Sequence, residues 1–178
     1  MPDWQAEAII LSVRPHGEGS AVISVLTADY GRHAGLVRGG ASSKMRGIIQ
    51  PGNRVRVSWR ARLSEQLGQM QIELVQSVPA LLLDSPLRLS GVASMCALLD
   101  GALPEREAQP GLFEGSAALL DVIVLDDDNA GWVEGYVRWE LGLLAAVGYR
   151  LDLARCVASG QTSDLAFVSP KSGGAVAR

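Results

Sequence analysis

The sequence predicts two domains of different class, a small β-barrel over residues 1–78 and an α-helical domain over residues 79–178. Three observations carry this reading. Apolar residues recur with a period near two before Val78-Pro79 and with a helical period after it. Turn residues punctuate the first part at about every 8–12 positions, the spacing of short strands in an all-β unit. Charge divides at the same place. Residues 1–78 hold nine Lys and Arg against six Asp and Glu, whereas residues 79–178 hold seven against thirteen. That asymmetry marks a basic module joined to an acidic one.

The elements follow in order. Ala6–Val13 is β-branched-rich and stops at the turn cluster Pro15-His16-Gly17-Glu18-Gly19. Ala21–Leu26 is the second strand and breaks at Asp29-Tyr30-Gly31. Arg32–Arg38 is the third and stops at Gly39-Gly40. A short helical turn fits Ser42–Ile49. Arg54–Arg60 alternates basic and apolar residues, which is a half-buried strand with its cationic face outward. Gln69–Val75 repeats the alternation through Met70, Ile72 and Leu74. Five strands with an insertion after the third match the order of an OB-fold, a barrel that often binds oligonucleotides; an SH3-like barrel competes.

Beyond residue 78, Leu87, Val92, Met95, Cys96, Leu98 and Leu99 form a helical stripe ended by Gly101 and Pro104. Leu112–Leu125 is a second helix, stopping at Asp126-Asp127-Asp128-Asn129. Gly131–Val147 is a third, with Gly148 as its C-cap. Past Leu153 the chain is rich in Gly, Ser and Pro and reads as irregular.

At 178 residues and 48% apolar content, the chain can bury a real core. Cys96 and Cys156 lie far apart without a CxxC, which fits a reducing compartment. The N-terminus lacks the basic and apolar regions of a signal peptide. No apolar run reaches the roughly 18 residues of a membrane span. A cytoplasmic protein is expected.

Function is carried first by the charge pattern. From Tyr30 to Ser64 the chain has eight cations (Arg32, Arg38, Lys44, Arg46, Arg54, Arg56, Arg60 and Arg62) and no acid. In a protein of net charge −3 this points to a polyanionic partner. Arg54, Arg56 and Arg60 share parity on one strand, so they emerge together, and Arg62 continues the line. Cations so placed neutralise phosphates without reading sequence. A charged face that only protects a strand edge is the competing explanation. Trp59 has the opposite parity and is expected in the core; the pattern does not place Tyr30.

Other chemistry is poorly supported. The glycine pairs read as hairpin turns, and no GxxxxGK[ST] is present. Only His16 and His33 are available as imidazole bases, with no GxSxG or HExxH. Asp126–Asp128 lack the glycine and distal glutamate of a calcium loop. The expectation is a non-enzymatic protein with no catalytic residues.

The segment LTADYGRHAGLVRGGASSKMRGIIQPGNRVRV resembles the N-terminal domain of the bacterial recombination mediator family RecO. Its Tyr30-Gly31 turn, Arg38-Gly39, Ser43-Lys44-x-Arg46 and Gln50-Pro51-Gly52 carry the likeness. RWELGLLAAVGYRLDLARC and LAFVSPKSGGAV extend it through the second half. The resemblance implies an OB-fold followed by a helical domain with a zinc-ribbon-like insertion. It implies binding of single- and double-stranded DNA and annealing of complementary strands. It also implies association with RecR, in some systems with RecF, and help in loading RecA on strands covered by single-strand-binding protein. The acidic C-terminal tail of that protein docks on the family's helical domain.

Two departures bear on these expectations. Zinc-binding relatives carry CxxCG and a second CxxC, whereas here Ser159 and Ala177 stand at cysteine positions beside Cys156. A single thiolate cannot build a tetrahedral site, so no zinc and no other cofactor is expected. The degenerate segment begins near residue 154. The family also continues past the position of Arg178, so a truncated helical domain is expected.

The expected protein is therefore a DNA-binding, strand-annealing mediator of DNA repair, cytoplasmic and nucleoid-associated. Its eight cations would cradle phosphates. Arg138, beside Trp139, Leu143 and Leu144 on the third helix, is a candidate seat for the acidic tail. An adaptor whose basic face binds an acidic protein is the alternative, and a degenerate hydrolase using His16 or His33 is a remote one.

Overall fold

The computed structural model describes residues 2–126 and 131–178. The chain divides into two compact units, Met1–Tyr136 and Val137–Arg178.

The first unit begins with five strands: β1 (Asp3–His16), β2 (Ser20–Thr27), β3 (Gly31–Arg38), β4 (Arg54–Arg60) and β5 (Gln69–Gln76). A short helix, α1 (Ser43–Ile48), lies between β3 and β4. The strands close in the order β1-β2-β3-β5-β4, with β1 antiparallel to both β2 and β4. This is the OB-fold order, and it removes the SH3-like alternative. Alternation builds the core: Ala8, Ile10, Ile23, Val25, Val37, Val55, Val57, Trp59 and Met70 point inward and are nearly or fully buried. Closure is weakest between β3 and β5, which pair in parallel at Leu36 and Gln69 only.

Three helices follow in this unit: α2 (Val78–Leu81), α3 (Pro86–Ala102) and α4 (Pro110–Leu125). A fourth, α5 (Gly131–Ala146), starts here and continues into the second unit. On α3, Val92, Met95, Cys96 and Leu99 are buried, as the helical period predicts. Leu87 and Leu98 depart from the expected stripe, being 63% and 38% exposed. The cause is angular, since at about 100° per residue neither falls on the Val92–Leu99 face. Gly91 admits the Trp132 ring, which a Cβ there would strike. Asp126 accepts the Trp132 amide at 2.8 Å, so the first of the three aspartates ties the start of α5. Asp127, Asp128 and Asn129 lie outside the described residues.

α3 packs on β1, and α4 on β2. Residues of β1 and β2 that point away from the barrel interior are therefore buried as well, among them Ile9, Leu11, Ser24 and Leu26. The helices thus hide the outer surface of β2, part of the face that OB-folds commonly offer to oligonucleotides.

In the second unit α5 ends in a left-handed turn. Gly148 has φ +91°, and the Tyr149 amide reaches back to Leu144 O at 2.7 Å, a Schellman closure. The tail beyond Leu153, expected to be irregular, instead forms a three-stranded sheet. Its strands β6 (Asp152–Cys156), β7 (Leu165–Val168) and β8 (Gly174–Ala177) pair in the order β6-β8-β7. Strands of four or five residues between Gly and Ser turns are too short to show a period.

Candidate nucleic-acid interface

The acid-free run is not acid-free in space. Arg32 projects from β3 and pairs with Asp100 of α3 at 3.4 Å and with Glu105 at 3.6 Å. Its Nε also donates to Leu103 O at 2.7 Å. Arg54 pairs with Asp121 of α4 at 2.9 Å and donates to Ala117 O. Both guanidinium groups are largely buried and hold helices to the barrel. Arg56 pairs across the ladder with Glu73 at 3.6 Å, and both partners are more than half exposed. A pair that open contributes between about 0 and 1 kcal/mol, so Arg56 can exchange its carboxylate for a phosphate.

The other five cations differ. Arg38, Lys44, Arg46, Arg60 and Arg62 are all exposed, and among the described residues none forms a salt bridge. The topology gathers them at one end of the barrel. Arg60 pairs in register with Gln69, and Gln69 is the partner of Leu36, two residues before Arg38. Lys44 and Arg46 lie on α1, which packs against β5. Arg62 follows β4 into the β4–β5 loop.

Two supports fix this end. Ser42 caps α1 by accepting the Met45 amide at 3.3 Å. Asn53 then donates to Gly47 O at 3.3 Å and Ile48 O at 2.8 Å, satisfying carbonyls at the end of the helix. Arg106, reached from the α3–α4 connection, donates to Ser64 O and Gln66 O and so clamps the β4–β5 loop. Neither Asn53 nor Arg106 stands out in the sequence, because each acts on backbone carbonyls that no local pattern reveals.

Aromatic side chains meet beside the cations. Trp4 stacks on Tyr30, with centroids 4.5 Å apart and a 12° interplanar angle, and lies 5.8 Å from Trp59. Trp59 is buried as its parity predicts, and its Nε1 donates to Leu67 O at 2.9 Å. Tyr30, which the pattern left unplaced, covers the Trp4 ring. His33 packs edge-on against Trp4 and Trp59, and burial holds its imidazole below the ordinary value of 6.5. His16 is exposed at the far end of β1. A cleft of about 830 Å³ opens among Trp4, Arg38, Met45, Arg60 and Gln69.

In the second unit, Trp139 is 7% exposed and Leu143 5%, while Arg138 is exposed. Arg138 and Trp139 are therefore turned to different sides of α5. Cys156 Sγ accepts the amides of Ser159 at 3.4 Å and Ala177 at 3.3 Å. The residues at the two expected cysteine positions thus flank the thiol but supply no second thiolate, and this donor set does not fit zinc. Among the described residues no group of three or more His, Cys, Asp or Glu side chains is placed to hold a metal ion. No helix among them is long and apolar enough to cross a membrane.

Known proteins agree with this architecture. Residues 1–78 match the family model for the recombination protein O N terminal domain, and residues 83–178 match that for its C terminal domain. The chain is 51% identical over 176 residues to the DNA repair protein RecO of Rhodospirillum centenum, covering 98% of this chain and 69% of that protein. It is 48% identical to RecO of Jannaschia sp., covering 99% and 70% of the two chains. With RecO of Cereibacter sphaeroides it shares 50% identity over 178 residues, 100% and 72% of the two chains. With an OB-type barrel, a helical continuation and matches along nearly its whole length, the chain belongs to the RecO family of DNA repair proteins.

Proposed function

We propose that this chain serves DNA repair by holding DNA phosphates at the barrel end formed by β3, α1 and the β4–β5 loop. The observation that carries this reading is the separation of the eight cations. Three are matched by carboxylates, while Arg38, Lys44, Arg46, Arg60 and Arg62 stand exposed and unmatched around one cleft. Binding driven by counterion release needs cations that are not already neutralised. Such contacts carry no sequence information, so single and double strands of any sequence are substrates. Two complementary strands on one neutralised surface lose much of their mutual repulsion, and base pairing between them can nucleate.

The role is non-catalytic, and the degenerate ribbon works without zinc. RecR, RecF, RecA and the tail of single-strand-binding protein are partners by family likeness. Arg138 remains the proposed contact for that tail, while buried Trp139 serves as packing beneath it. A cytoplasmic, nucleoid-associated location accords with such partners.

Fluorescence anisotropy of a labelled oligonucleotide across a salt series tests the reading. The Arg38/Lys44/Arg46/Arg60→Ala variant is expected to lose most affinity. It should flatten the salt dependence by about 0.7 in log–log slope per lost single-strand contact. Arg32→Ala is expected to lower stability with little change in that slope. If wild type shows no binding at low salt, the reading is wrong, and the basic end would then be tried against acidic proteins.

A further inference from the structure

The cleft between β3, β5 and α1 has a lining that phosphate binding does not call for. β3 and β5 share a single bridge, at Leu36 and Gln69, after which β3 runs on toward α1 and the seam opens. Gly35 permits this shape, because a Cβ there would strike the Met70 side chain that fills the inner wall. The wall is apolar and aromatic, built from Trp4, Trp59, Met45, Met70 and Ile72. At the rim stand Arg38 and Arg60, exposed and without carboxylate partners among the described residues. The amides of Gln69 and Gln71 also line it, and among the described residues neither side chain makes a hydrogen bond.

We propose that this cleft seats one unstacked nucleobase of a single-stranded DNA while the rim arginines hold the adjoining phosphates. The proposal rests on the reading of this barrel end as a DNA surface and adds a ligand subsite to it. An apolar wall next to unmatched cations suits a ligand that is aromatic at one end and anionic at the other, as a nucleotide is. The volume of about 830 Å³ lies within the usual range for small-ligand sites. Amide groups offer both donors and acceptors, so bases of either kind satisfy them. A duplex keeps its bases stacked and must unpair one to fill the site, which costs free energy. The subsite therefore favours single strands over double strands at equal phosphate number.

The test compares two labelled probes of roughly fifteen nucleotides, oligothymidylate and an abasic phosphodiester chain of the same length and charge. With the wild-type chain, oligothymidylate is expected to bind about tenfold more tightly at matched salt, with equal salt slopes for both probes. Ser58→Trp, which fills the cleft from β4, should bring oligothymidylate to the abasic level and leave abasic binding unchanged. Equal binding of the two probes by wild type overturns the base seat while leaving phosphate binding intact. Failure of both probes to bind overturns the DNA surface itself. Because wild type alone decides between these outcomes, a misfolded Ser58→Trp protein would not obscure the answer.

Discussion

Arg32 on β3 lies 3.4 Å from Asp100 on α3, and this pair converts a cation of the basic run into a fastening between barrel and helix. Burial alone would raise the Asp100 carboxyl. The neighbouring Ser24 and Ser12 hydroxyls and the Arg32 and Arg14 guanidinium groups outweigh it, so its pKa lies below the ordinary 3.8. Ser24 Oγ is buried but lies outside hydrogen-bonding geometry, which leaves the guanidinium groups as the firmer partners.

From that shift follows a pH signature. A carboxyl depressed in the folded state stabilises above its unfolded value and loses that contribution as pH falls through the folded one. Asp100→Asn is expected to cost about 1–3 kcal/mol at neutral pH, because Arg32 keeps its partly buried charge without this carboxylate. The difference from wild type should be complete above about pH 5 and shrink below pH 4. Urea unfolding across that range measures it, and a difference that stays constant would refute the assignment.

Gly31 is expected to tolerate no side chain. Its φ is +60°, and a Cβ would fall on the Glu107 carbonyl oxygen and crowd the rest of that backbone. Gly31→Ala adds left-handed strain to that collision, for about 2–4 kcal/mol of lost stability. Gly17 has the same φ but open space around it, so Gly17→Ala should cost only the strain, about 1 kcal/mol. Thermal unfolding of the two variants side by side separates the clash from the strain.

Arg106 reaches across to the β4–β5 loop, where it holds Ser64 O and Gln66 O. Removing the guanidinium as Arg106→Ala frees this loop while leaving the barrel ladder in place. Amide exchange over residues 61–68 is expected to quicken by about tenfold, the equivalent of ~1.4 kcal/mol, with little change elsewhere. Exchange mass spectrometry reads this directly, and a uniform increase across the barrel would instead mean global destabilisation.

The two cysteines are expected to behave oppositely. Burial pushes the Cys96 thiol up to about 12. Cys156, although enclosed, accepts hydrogen bonds from the Ser159 side chain and from the Ala177, Ser159 and Ala158 amides, which bring it down to about 6. Alkylation of the native protein should therefore mark Cys156 with a pH midpoint near that value and leave Cys96 untouched until unfolding. Ser159→Ala should move the midpoint upward. Because the folded value lies below the ordinary 9.0, thiolate formation stabilises the fold fully above pH 9, and that contribution is lost as pH falls through about 6.

How much was legible in the chain depends on the range of the interaction. The alternation of Arg54–Arg60 predicted both its buried face and its exposed one, because strand parity is a property of neighbours in sequence. The stop of α5 at Gly148 was legible for the same reason. β6, β7 and β8 were not, since each strand is too short for a period to stand out from turns. Trp4 stacking on Tyr30 joins the start of β1 to the β2–β3 turn, and no local pattern connects them.

By itself, then, the sequence determined the five-stranded barrel, the helices after it and the presence of an unusual density of cations. Those features arise from periodicity, turn chemistry and composition, all of which act over a few residues. Only the tertiary structure decided which cations remain available. Arg32 and Arg54 meet Asp100 and Asp121 from helices that are distant in sequence, whereas Arg38, Arg60 and the α1 cations meet no carboxylate among the described residues. Electrostatic pairing depends on distance in space and on burial, and neither can be read until the chain has folded.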